Sequence, residues 1–203
     1  PIYQTIEIKG VSGLMICHGS PLRNKQKMLP EDEETEKVME ACENRYILFG
    51  HTHKQGSIEY AGKVAWNPGS VGVPIQSGGK AQFMILHQKE DEWVPEFLSL
   101  DYVKESIMLE MIESGLEKMA PYWTLITRHL LHTGEISHEF VLKNACKLCE
   151  TETGTGNWYD VPDKYWIKVI TKYLPIREMD LGKSGAKVSE LIDHRIMKVV
   201  FRD

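Results

Sequence analysis

The chain is predicted to be an α/β domain followed by an α-helical extension, on three observations. Short uninterrupted apolar runs, Leu14-Met15-Ile16-Cys17 and Tyr46-Ile47-Leu48-Phe49, are the signature of strands buried on both faces. Each run ends at a glycine-bearing polar loop that carries histidine, His18-Gly19-Ser20-Pro21 and Gly50-His51-Thr52-His53. Near residue 100 the alternating pattern gives way to helical spacing. The expected division is therefore residues 1–100 and 101–203 of the 203.

In order along the chain, Ile2, Gln4, Ile6 and Ile8 alternate with Tyr3, Thr5 and Glu7 before Gly10, a strand running into a turn. Residues 33–43 set Val38, Met39 and Cys42 on one helical face, and the acids of Glu31–Glu36 suit a helix start. Ser57–Tyr60 and Lys63–Trp66 flank Ala61-Gly62, a hairpin signal. Asn67-Pro68-Gly69-Ser70 reads as a turn. Gln82–His87 and Trp93–Leu100 form a further strand pair, joined by the polar Gln88–Glu92. Helices are predicted over Tyr102–Met119, 122–132, 138–149 and Pro162–Tyr173. A charged linker, 176–183, precedes a helix over Ser184–Arg195 and an extended Lys198–Arg202.

Composition bounds the function. Apolar residues are 42% and charged residues 26%, ordinary for a globular protein. No apolar run approaches the roughly 18 residues of a membrane span, and no signal peptide opens the chain, so a membrane is not an expected partner. A net charge of −5 with scattered Lys and Arg leaves no nucleic-acid footprint. Four Cys are too few for a disulfide framework, which fits a reducing, cytoplasmic setting. The start at Pro-Ile-Tyr, without Met, suggests a fragment or processed product.

The histidines carry the chemistry. In an extended chain, residues i and i+2 point the same way, so His51 and His53 should leave one face with Cα atoms about 6–7 Å apart. That spacing can serve two metal ions roughly 3.5–4 Å apart, one imidazole each. His18 also follows a buried strand, and ligands of open α/β sheets gather beyond the carboxyl ends of the strands. Neutral imidazole suits Zn, Fe, Ni or Mn.

"LMICHGSP", "YILFGHTHKQG" and "VAWNPGSVGVP" resemble the calcineurin-like metallophosphoesterases, in particular their small bacterial and archaeal phosphodiesterase branch. The resemblance covers about residues 1–100 and implies half of a four-layer αββα sandwich, its carboxyl-terminal half. It implies two divalent metal ions, with His18 and His51 on one and His53 on the other. The implied reaction is hydrolysis of a phosphoester substrate by a metal-activated hydroxide, the histidines serving as ligands rather than as acids or bases. The family's D-x-H, G-D-x-x-D and G-N-H motifs do not occur here. The resemblance therefore implies an amino-terminal half, separate or upstream, that supplies them.

Other residues admit two readings. Asn67 can orient the metal loop or merely build the turn, with the turn preferred. Ser20 and Arg23 can touch a substrate phosphate or only solvate their loop, with solvation preferred. Trp158, Tyr159, Tyr165 and Trp166 can line a lid or, preferably, pack a helical core. Cys146-x-x-Cys149 lacks the second ligand pair of a zinc site. His129, His132 and His138 are expected to face solvent or cap helices. Gly182-Lys183-Ser184 lacks the glycine of a P-loop, since position 177 is Arg. A competing function is a non-catalytic remnant whose helices mediate association, for instance as a homo-oligomer. Between shaping substrate access and forming a dimer interface, an access or scaffold role is preferred for the helices.

Overall fold

A computed structural model describes residues 3–8 and 11–174. The chain is mixed α/β and divides into two units, Pro1–Tyr102 and Val103–Asp203. The expected linker 176–183, helix 184–195 and extended segment 198–202 lie outside the described residues, as does Gly182-Lys183-Ser184.

Unit 1 is built on a five-stranded sheet in the order β1-β2-β3-β5-β4. Its strands are β1 (Tyr3–Ile8), β2 (Val11–Cys17), β3 (Tyr46–Leu48), β4 (Gly56–Tyr60) and β5 (Lys63–Asn67). β2, β3 and β5 run parallel, with Leu14, Tyr46 and Val64 in register, then Met15, Ile47 and Ala65, then Ile16, Leu48 and Trp66. β1 and β4 are antiparallel edges. The period of two sorts the side chains onto two faces. Met15, Cys17, Ile47, Phe49 and Ala65 pack with Val38 and Met39 of helix α1 (Glu33–Ala41) and with Cys42, which caps its end. Leu14, Tyr46 and Trp66 meet Met84, Leu86, Trp93 and Phe97 of a second, two-stranded sheet. That sheet pairs β6 (Ala81–Lys89) with β7 (Glu92–Leu100). Unit 1 thus layers helix, sheet and sheet.

The continuous apolar runs are explained by this layering, because the central strands are covered on both sides. The β4–β5 turn has Ala61 at φ 50° and Gly62 at φ 75°, the left-handed pair that matches hairpin twist. The second hairpin is tighter than expected. Gln88, Lys89 and Glu92 continue the ladder, and only Glu90-Asp91 turn, with Glu90 at φ 53°. Polarity at 88–92 reflects strand ends at the surface rather than a loop.

Unit 2 contains α2 (Lys104–Glu113), α3 (Leu116–Met119), α4 (Pro121–Thr133), α5 (His138–Thr153), a 3-10 turn at Trp158–Asp160 and α6 (Asp163–Tyr173). The single helix expected over Tyr102–Met119 is two. Gly115, at φ 77°, breaks it, because apolar spacing continues across a residue that adopts the left-handed form freely. Gly134 and Gly154 close α4 and α5 in the same conformation, and the Ser137 side chain caps α5 by accepting from Phe140 N. Ile126, Val141, Ala145, Cys149, Tyr165, Val169 and Ile170 form the core. Trp166 joins it, donating to the Val161 carbonyl at 3.3 Å, whereas Tyr159 is 56% exposed. His138 departs from the expected solvent position: it stacks on Trp123 at 3.6 Å, with Nε2 3.0 Å from Thr127 Oγ1. Among the described residues no helix is long and apolar enough to cross a membrane.

Candidate functional site

The carboxyl ends of β2, β3 and β5 lie side by side, and the loops that leave them carry His18, His51 with His53, and Asn67. Two hydrogen bonds extend the sheet beyond its last paired residues. Phe49 N donates to Trp66 O at 2.9 Å, and Gly50 N donates to His18 O at 2.8 Å. The second bond fixes the His18 backbone against the start of the His51 loop.

The histidine loop is not extended. β3 ends at Leu48, and His51 and His53 take left-handed backbones at φ 63° and 57°. This replaces the simple i, i+2 argument: both side chains are aimed by a coiled loop. Histidine adopts this region more readily than most residues, but each instance still costs on the order of 1 kcal/mol or more. Thr52 N donates to Gly50 O at 2.7 Å, tightening the turn.

The outcome is a close pair. His51 Nδ1 lies 3.2 Å from His18 Nε2, and the rings meet edge to face with centroids 5.1 Å apart. A divalent ion about 2.0–2.1 Å from both nitrogens would subtend an angle of roughly 100°, close to tetrahedral. His53 is half-buried, and burial holds its ring below the usual histidine pKa, with His18 lowering it further. A hydrogen bond to the Val73 backbone opposes the shift. A carbonyl partner on one ring nitrogen directs the other outward as a ligand. The imidazoles therefore suit divalent ions, as part of a donor set. Among the described residues no group of three or more His, Cys, Asp or Glu side chains is arranged to hold a metal ion.

Asn67 is 1% exposed and clamps the loop. Its Nδ2 donates to Gly50 O and Thr52 Oγ1, both at 2.9 Å, while its Oδ1 accepts from Gly69 N at 2.9 Å. One side chain thus caps its own turn and braces the histidine loop. Gly69 sits at φ 86°, where a Cβ would fall 2.6 Å from Gln82 Cβ, so glycine is required.

Ser20 is fully buried. Its hydroxyl donates to Gln26 Oε1 at 2.6 Å and accepts from Leu22 N and Arg23 N at 3.1 and 3.0 Å. With its lone pairs and proton engaged inside the loop, Ser20 is a loop anchor and does not present its hydroxyl to a substrate. Arg23 is exposed at the loop surface. Gly19 allows the fold-back, since a Cβ there would lie 2.3 Å from Asn24 O.

Three contributors have no motif of their own: Thr52, Gln55 and Val73. The Gln55 amide nitrogen reaches the carbonyls of Pro68, Phe83 and Leu98 at 3.0, 3.0 and 3.1 Å, tying the Asn67 turn to the second sheet. Its place two residues after His53 was the available clue. In unit 2, Cys149 is buried in the core and burial raises the Cys146 thiol pKa, so neither is set up as a nucleophile.

The mixed sheet with helices is consistent with a metallophosphoesterase-like fold. Residues 1–91 match the model of the calcineurin-like phosphoesterase superfamily domain. Among solved structures, it is similar to a hypothetical protein from Pyrococcus horikoshii OT3, at 20% identity and a TM-score of 0.54, over 68% of this chain and 52% of that one. It is also similar to a metallophosphoesterase from Sphaerobacter thermophilus, at 19% identity and a TM-score of 0.49, over 66% and 59% of the two chains. The chain thus spans about half the length of the first and under two thirds of the second. No curated protein matches it.

Proposed function

We propose that the chain contributes the histidine side of a two-metal centre that hydrolyses a phosphodiester or phosphomonoester. The observation that carries this reading is the His18–His51 pair, held at 3.2 Å between ring nitrogens at the ends of adjacent parallel strands. His18 and His51 would hold one divalent ion, Mn, Zn, Fe or Ni, and His53 the other. Bound ions would supply an acidified water and charge neutralisation on the phosphoryl oxygens. The chain's own residues do the positioning. Asn67 and Gly50 fix the histidine loop, Val73 orients His53, and Arg23 would meet a phosphoryl oxygen through its planar fork. Carboxylate donors would come from an amino-terminal half, upstream or separate.

The test is manganese-dependent hydrolysis of bis-p-nitrophenyl phosphate by the protein complete with that half. His51→Ala is expected to lower activity at least a hundredfold and manganese affinity at least tenfold. Full activity in that variant would refute the ligand assignment. The second reading, a non-catalytic interaction module, rests on the lack of a three-donor group among the described residues. It gains if the complete protein binds no manganese at all.

A further inference from the structure

The second sheet of unit 1 contains β6 and β7 alone, so each strand has an outer edge that no described strand pairs. Their hairpin turns through two residues, Glu90-Asp91, which makes Lys89 and Glu92 the closing hydrogen-bonded pair. Odd-numbered residues of β6 therefore exchange backbone bonds with β7, and even-numbered ones turn their N–H and C=O groups outward. Gln82 agrees with this phase, since its N–H donates to Ser70 O at 3.0 Å, away from β7.

The edges of unit 1 are unlike. The outward residues of β7 are Trp93, Pro95, Phe97 and Ser99, and Pro95 has no N–H to give. In the larger sheet, edge strand β1 has a register shift between Ile6 and Ile8 and carries Glu7, and edge strand β4 carries Glu59. Such features blunt an edge. β6 has none of them over Met84–Gln88: no proline, no carboxylate or lysine, and a register that runs unbroken from Ala81 to Lys89. It is also apolar on both faces. Met84 and Leu86 pack in the core between the sheets, while Ile85 is 44% exposed on the far side, beside the half-buried Phe83.

Direction follows from the site. β6 starts at the end of the sheet where β5 stops, because the Gln55 amide nitrogen donates to both Pro68 O and Phe83 O. A strand that delivers ligands from its carboxyl end to the imidazoles must therefore run opposite to β6. Ser70 O already occupies Gln82 N, so the added ladder ends level with Met84, beside the turn whose Asn67 holds the histidine loop.

We infer that the outer edge of β6 is where the amino-terminal half joins this chain, by adding an antiparallel strand of about five residues, apolar on both faces, with carboxylates following its carboxyl end. The inference rests on the hydrolase reading for the existence of that half. Its own observation is the unblunted edge.

The test compares amide hydrogen exchange in this chain and in the protein complete with that half. In this chain the outward amides of Met84 and Leu86 are expected to exchange at least thirtyfold faster than the inward amides of Phe83 and Ile85. In the complete protein that ratio should fall below threefold. A ratio that is the same in both proteins overturns the inference. Leu86→Pro removes an outward amide that has no bond to β7, as Pro95 does on the facing strand. In the complete protein this variant should return the Met84 amide to fast exchange and leave Ile85 slow. A Met84 amide still as slow as Ile85 in the variant also overturns the inference. Manganese-dependent hydrolysis separates the two readings. Equalised amides without hydrolysis leave the edge standing and the hydrolase refuted, and hydrolysis with an unchanged ratio does the reverse.

Discussion

Replacing Asn67 distinguishes a turn residue from a loop clamp. Asn67→Ala removes two donated hydrogen bonds, to Gly50 O and Thr52 Oγ1, and one accepted from Gly69 N. Each is worth about 0.5–1.5 kcal/mol net, and a buried amide left unpaired adds to the loss, so the total is roughly 2–4 kcal/mol. For a unit of this size that corresponds to a fall in Tm of at least about 8 °C. The informative variant is Asn67→Asp. A carboxylate keeps the acceptor for Gly69 N and builds an Asx turn as well as asparagine does. It cannot donate, however, and sets an anionic oxygen against the Gly50 carbonyl in a site that is 1% exposed. If Asn67 braces the histidine loop, Asn67→Asp is at least as damaging as Asn67→Ala. Urea melts followed by tryptophan fluorescence read this out, since Trp66 adjoins position 67 and is buried. An Asn67→Asp protein within about 0.5 kcal/mol of the parent would show that only the turn matters.

Two further outcomes are expected. Burial holds the His138 ring down to about 4, with its hydrogen bond to the Trp123 backbone opposing the shift. An unfolded histidine titrates near 6.5, so the stability due to the neutral ring is fully present above about pH 6.5 and lost as pH falls from there towards 4, by at most about 3 kcal/mol. Helical melts by circular dichroism between pH 4 and 7.5 should show that slope in the parent and a flatter one in His138→Gln; identical slopes refute the assignment. Gly69→Ala combines φ 86° with a Cβ 2.6 Å from Gln82 Cβ and should cost roughly 2–3 kcal/mol. Gly62→Ala, at φ 75° with open space around it, should cost only about 1 kcal/mol. Equal losses in the two melts would show that packing at Gly69 is irrelevant.

Most of unit 1 was legible because its strands obey simple periods. Runs such as Leu14–Cys17 are apolar on both faces because helix α1 covers one and the β6–β7 sheet the other. Ala61-Gly62 announced its turn through the left-handed conformation that hairpins need. The proximity of His18 and His51 was legible from strand ends, but the conformation of the His51–His53 loop was not. Nothing local distinguishes an extended Gly-His-Thr-His from one coiled by hydrogen bonds from Asn67, more than a dozen residues away. Ser20 misled for a related reason. A serine after histidine in a loop suggests solvent, whereas this one is fully buried by its own loop closing through Gln26. In unit 2, helical spacing ran unbroken through Gly115, and only its backbone angle shows the break.

The strained histidines and the buried asparagine are best understood as one device. Two left-handed non-glycine residues in three positions cost of order 1–3 kcal/mol each, and a loop left to itself would relax. The Asn67 bonds, the Gly50 N bond to His18 O and the Val73 contact with His53 oppose that relaxation from two other loops, those that leave β2 and β5. Folding of the sheet ends therefore supplies the energy that keeps His18 and His51 at 3.2 Å. A loop needed only to connect β3 to β4 would not require this. The seven residues Phe49–Gln55 lie outside regular structure, and relaxed backbone would span the gap without left-handed histidines. The geometry is thus better explained by the presentation of imidazole nitrogens than by chain connection, and that is the physical basis on which the metal-centre proposal stands.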